Sequence, residues 1–109
     1  MNQTNWVGVD THKETLACYK NGKFKEFKTN QKGFESAIQW AGSDSKWAIE
    51  GAYCFGRSFT AHLIKNGCEV FEVNPLLTSS WRKTISISNP KNDFVDAKVL
   101  SLFANNANL

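Results

Sequence analysis

Trp6-Val7-Gly8-Val9-Asp10 is a short apolar run closed by a carboxylate, and Lys46-Trp47-Ala48-Ile49-Glu50 ends the same way. Short apolar runs of this kind read as buried strands. An acid at the end of such a strand sits at the rim of the core, where charge is costly unless it is paired or bound to a cation. If the two strands are parallel neighbours, their acids meet at one edge of a sheet. That pairing decides the fold.

Working outward, Glu14 to Lys20 reads as a second strand and Lys23 to Lys28 as a third, joined by Asn21-Gly22. Both turn residues tolerate positive φ, the strongest short hairpin signal. The third strand has an irregular phase, because Phe24 and Phe27 cannot both face one core in a regular strand. A bulge or an edge position would resolve it, and Lys23, Lys25 and Lys28 suit an edge guarded against pairing. Asn30 is an N-cap candidate for a helix over 31–41 with Phe34, Ile38 and Ala41 on one face and Gly42 as its stop. Lys46 to Glu50 is the fourth strand. A helix over 56–66 places Phe59 and Leu63 on one stripe, and Cys68 to Val73 is the fifth strand. Asn74-Pro75 opens a short helix, Thr84 to Lys91 reads as a loop, and a last helix runs from about Asn92 to Ala104.

The order β-β-β-α-β-α-β-α-α predicts an α/β fold with a five-stranded mixed sheet and helices on both faces. Sites in such sheets gather at strand ends, beside the point where connections change sides. Asp10 and Glu50 fall at such ends. Asp93 and Asp96, three residues apart in Lys91-Asn92-Asp93-Phe94-Val95-Asp96-Ala97, share a face at the opening of the last helix. Four carboxylates brought to one place suit hard divalent ions, and such ions serve phosphodiester chemistry.

A chain of 109 residues, 41% hydrophobic and 21% charged, makes one ordinary globular domain. Its net charge of +3 is too mild to argue for nucleic acid by itself. Cys18, Cys54 and Cys68 lack CxxC spacing and are expected as reduced, packed thiols of a cytoplasmic protein. Neither a signal peptide nor a membrane span is read in the chain.

Four stretches carry a resemblance: Val7-Gly8-Val9-Asp10-Thr11-His12-Lys13, Ala48-Ile49-Glu50-Gly51-Ala52, Val70-Phe71-Glu72-Val73-Asn74-Pro75 and Lys91-Asn92-Asp93-Phe94-Val95-Asp96-Ala97. In order and separation they resemble the N-terminal catalytic domain of the DEDD transposases of the insertion sequence 110 family, which is similar to Holliday-junction resolvases and ribonuclease-H-like nucleases. The resemblance implies a catalytic and metal-binding set of Asp10, Glu50, Asp93 and Asp96 using Mg2+ or Mn2+, two ions in all. It implies DNA as substrate, homo-oligomeric assembly and, in some members, a structured guide RNA. Asn92 stands where the family commonly has Thr, and Gly51-Ala52 where many members have Thr-Gly. The family's second domain, whose serine attacks DNA, has no counterpart in these residues, so the resemblance implies a single catalytic domain over 1–109 that is weakly active or inactive alone. A stand-alone junction-resolving nuclease and a non-catalytic nucleic-acid-binding or assembly domain are the rival readings.

Other residues carry two readings each. Lys13 is either a phosphate contact or a solvated lysine. Trp81, Arg82, Lys83 and Lys91 either grip nucleic acid through stacking and phosphates or form a solvated loop with Trp81 in the core. Tyr53 and Phe55 either stack on a base or pack inside. His12 is either a general base or ligand near Asp10 or, the favoured reading, a polar strand-end residue that points away from it, and His62 is expected to be structural.

Overall fold

The computed structural model describes residues 5–50, 55–73, 97, 98, 100–102 and 104. Seven elements follow in chain order: β1 (Trp6–Thr11), β2 (Thr15–Lys20), β3 (Lys23–Lys28), α1 (Gln31–Ala41), β4 (Lys46–Glu50), α2 (Arg57–Lys65) and β5 (Glu69–Glu72). The described residues within 97–104 are helical. The expected short helix at Asn74-Pro75, the loop Thr84 to Lys91 and the start of the last helix lie outside the described residues.

One five-stranded sheet runs β3-β2-β1-β4-β5. The β1–β2 and β2–β3 pairs are antiparallel, whereas β1–β4 and β4–β5 are parallel. This is the expected α/β mixed sheet, consistent with a ribonuclease-H-like fold. The meander turns at Asn21 (φ 50°) and Gly22 (φ 84°), the paired positive φ values that a two-residue hairpin needs. Side-chain chemistry starts α1: Asn30 Oδ1 accepts a hydrogen bond from the Gly33 amide at 2.8 Å, satisfying one of the helix's orphan donors. It ends at Gly42, whose amide donates to the Ile38 carbonyl at 3.0 Å.

β3 is an edge strand and needs no bulge, since its register runs without interruption from Thr15↔Lys28 to Lys20↔Lys23. Phe27 is buried among the residues that face α1, with its ring 5.7 Å from Trp40. Phe24 packs on the opposite face against Tyr19, Ala17 and Ala97. Both sides of the sheet are covered, so both phenylalanines are accommodated by ordinary alternation.

On the first face Val7, Val9, Trp47 and Ile49 pack beneath Phe34, Phe59 and Leu63 of α1 and α2. On the second face Trp6 and Ala48 pack against Leu100 and Ala104. A glycine makes the second contact possible. Any Cβ at Gly8 would collide with the Ala97 carbonyl oxygen and the Ser101 amide nitrogen, so the helix backbone lies directly on β1. Ser101 Oγ then donates to the Trp6 carbonyl at 2.9 Å. These contacts order the helix against the strand. Ala97 sits over Gly8 and Ser101 reaches Trp6, so across the described residues the helix runs opposite to β1, with Ala97 nearer the Asp10 end.

Candidate active site

Asp10 is directly paired with Glu50 in the parallel β1–β4 register. Neighbouring strands lie about 4.8 Å apart, which makes Asp10 and Glu50 side-by-side residues. Val9 and Ile49 both belong to the core on the α1/α2 side. By strand alternation Asp10 and Glu50 therefore project to the other side, the one covered by the 97–104 helix. On its far flank Asp10 pairs with Ala17, which packs against Ala97. Asp10 is buried and Glu50 half-buried.

The end of β4 is held from both sides. Thr11 Oγ1 donates to the Glu50 carbonyl at 2.9 Å, and the Val73 amide donates to the Ile49 carbonyl at 2.9 Å. Thr11 thus holds the backbone at Glu50, a contact that sequence reading passed over although Thr11 stands next to Asp10. A hydroxyl one position past a strand-end acid was the available signal.

His12 corrects the expectation that it points away. Its Nε2 lies 3.2 Å from Asp10 Oδ2, and both atoms are shielded from solvent. The cause is strand length. β1 continues to Thr11 rather than stopping at Asp10, and the period of two then sets His12 on the same face as Asp10. The His12 amide donates to Thr15 at 2.9 Å and the Thr29 amide to Glu14 at 2.9 Å, tying the turn and the end of β3 to this edge.

Lys13 is exposed at the same edge and lines a cleft with Lys28, Thr29 and Asn30. Asp93, Asp96, Trp81, Arg82, Lys83, Lys91 and Tyr53 lie outside the described residues. Phe55 is 54% exposed, so it is not a core residue. His62 packs its ring 5.5 Å from Phe34, the structural role expected of it. Cys18 and Cys68 are free thiols. Burial pushes the Cys18 thiol far up, and Cys68 rises for the same reason, offset in part by a hydrogen bond with Trp47.

Among the described residues, no three His, Cys, Asp or Glu side chains converge closely enough to hold a metal ion. The described part of the edge supplies two carboxylates, one of them in contact with a histidine. Among the described residues no helix is long and apolar enough to cross a membrane. Compared with known families, residues 7–108 match the family model described as a transposase, that of the DEDD transposases of the insertion sequence 110 type. No curated protein matches the chain.

Proposed function

The chain belongs to the DEDD transposases of the insertion sequence 110 family, and from that premise we propose that its carboxylate edge binds divalent metal and cuts and transfers DNA strands. The observation that carries this reading is the register that pairs Asp10 with Glu50 at the C-terminal ends of adjacent parallel strands. Sheet rims of this topology are where ligands bind in open α/β folds.

The donor set fits the proposed ions. Carboxylate oxygens are hard ligands, suited to magnesium or manganese. Asp10 and Glu50 would hold metal jointly with Asp93 and Asp96. Support for the latter pair comes from the described helical residues, of which Ala97 lies over Gly8 and Ser101 reaches back to Trp6, and from Asp96 preceding Ala97 by one peptide bond. Such ions, when bound, would supply activation of an attacking oxygen and charge stabilisation of a leaving one.

The chain's own residues do the rest. Thr11 fixes the backbone that carries Glu50. Asp10, buried at the end of β1, presents its carboxylate from a partly dry rim, where electrostatic interactions are stronger than in water. Lys13, exposed beside the edge, offers a counter-charge to a substrate phosphate. Homo-oligomeric assembly and a guide RNA belong to the same family-based proposal.

Manganese titration followed by calorimetry tests the reading. Weak binding is expected, because substrate phosphates normally complete the coordination of such ions. Asp10→Asn should abolish it. Unchanged binding in that variant would put the ions elsewhere and favour a non-catalytic assembly domain.

A further inference from the structure

The carboxylate edge continues into a basic surface that the metal chemistry does not use. Six of the thirteen basic residues but only two of the ten acids fall within residues 13–32. This hairpin and the first turn of α1 therefore carry more than the whole net charge of +3. Lys13, Lys28 and Asn30 line a cleft of about 500 Å3. Lys25, Lys28, Asn30 and Lys32 line a second of about 460 Å3. Because Lys28 and Asn30 belong to both, the two clefts adjoin around the edge of β3.

All four lysines are exposed, and among the described residues none of them forms an ion pair. Glu14 and Glu26 also line the surface, leaving it basic on balance. Protection of an edge strand explains lysines on β3. It does not explain Lys13, on the turn before β2, or Lys32, on α1. The first turn of α1 contains no acidic residue, so nothing there opposes an anion at the positive end of the helix.

We propose that Lys13, Lys28, Lys32 and Lys25 form a phosphate track that holds the backbone of substrate DNA leading away from the carboxylate edge. The inference rests on the transposase reading and deepens it. Continuity with the site selects DNA as the occupant. Lys13 lies three residues beyond Asp10, and Thr29 joins the end of β3 to the His12–Glu14 turn through its amide and through its hydroxyl, 3.4 Å from the His12 carbonyl. A strand whose phosphate lies at Asp10 and Glu50 can therefore run directly onto the lysines.

The test is fluorescence anisotropy of the whole chain with a labelled DNA duplex of arbitrary sequence, in chelator, across a salt series. Each phosphate contact contributes about 0.9 to the slope of log affinity against log salt. The Lys25→Gln, Lys28→Gln, Lys32→Gln triple variant should flatten that slope by about 2 to 3 and weaken binding about 10-fold or more at moderate salt. A triple variant of equal charge away from the track, Lys46→Gln, Arg57→Gln, Lys65→Gln, should keep most of the slope. Circular dichroism melts confirm that both variants fold. An unchanged slope in the track variant, or an equal loss in the control, overturns the track and leaves the transposase reading standing. A loss confined to a duplex RNA of the same length overturns the choice of DNA. Failure of the parent chain to bind DNA at all overturns both readings.

Discussion

Thr11 is the residue whose replacement separates holding the site from forming it. Its hydroxyl donates to the Glu50 carbonyl from a buried position. Thr11→Val keeps the shape and removes the donor, so unfolding in urea should show a loss of about 1 kcal/mol. Manganese affinity should fall several-fold with it, and Thr11→Ser should restore both. Asp10→Asn has the opposite signature. It removes a charge from the rim of the core at almost no cost in volume and weakens the His12 contact, so stability should change little while manganese binding disappears. Functional groups commonly show this pattern, and a large loss of stability in Asp10→Asn would mark the carboxylate as structural.

Cys18 supplies a pH signature at the same scale. Burial holds its thiol protonated in the folded chain, whereas an unfolded thiol ionises near pH 9. Above that pH the unfolded state binds fewer protons, so stability falls as pH rises. Below it the contribution is fully present. Denaturation midpoints measured from pH 7 to pH 10 should decline at the alkaline end, and Cys18→Ala should remove the greater part of that decline while lowering stability throughout by leaving a cavity.

At the scale of elements, one glycine and one capping residue distinguish fold from site. Gly8→Ala places a methyl group against the backbone of Ala97 and Ser101, atoms that cannot rotate away. Overpacking of this kind costs about 1–3 kcal/mol, and here it pushes the 97–104 helix off the strand that carries Asp10. Asn30→Ala removes a cap and costs about 1 kcal/mol at a helix that packs on the other face. Both should lower the thermal midpoint, but only Gly8→Ala should weaken manganese binding disproportionately. Equal metal affinity in the two variants would detach the helix from the site.

What could be read in the chain beforehand follows the same division. Local chemistry was legible: the Asn21-Gly22 turn, the Asn30 cap and the Phe59 and Leu63 stripe each depend on a few neighbouring residues. The Asp10–Glu50 pairing was legible because each acid closes an apolar run, so parallel alignment of the runs brings the acids level. His12 was misread because one extra residue of strand decides which face it takes. The irregular phase of Phe24 and Phe27 came from assuming one core, when helices cover both sides of the sheet. Asp93 and Asp96 remain an inference from family resemblance and from the direction of the helix that follows them.

Taken whole, the molecule is a sheet with two unlike sides and one loaded rim. α1 and α2 cover a large apolar core on the first face, and the 97–104 helix lies close on the second. The strand ends between these layers bring together Asp10, Glu50, His12 and the start of the lysine surface. In a protein that also carries the family's serine-bearing domain, Glu50→Gln should remove strand cleavage while leaving DNA binding nearly intact. Recombination at the parental rate in that variant would make this domain an assembly platform.

The most direct measurement is anomalous diffraction from crystals of the chain grown in excess manganese. The two-metal reading predicts a manganese peak between Asp10 and Glu50, within coordination distance of both carboxylates. Manganese ordered elsewhere, with no peak between those two side chains, would contradict it.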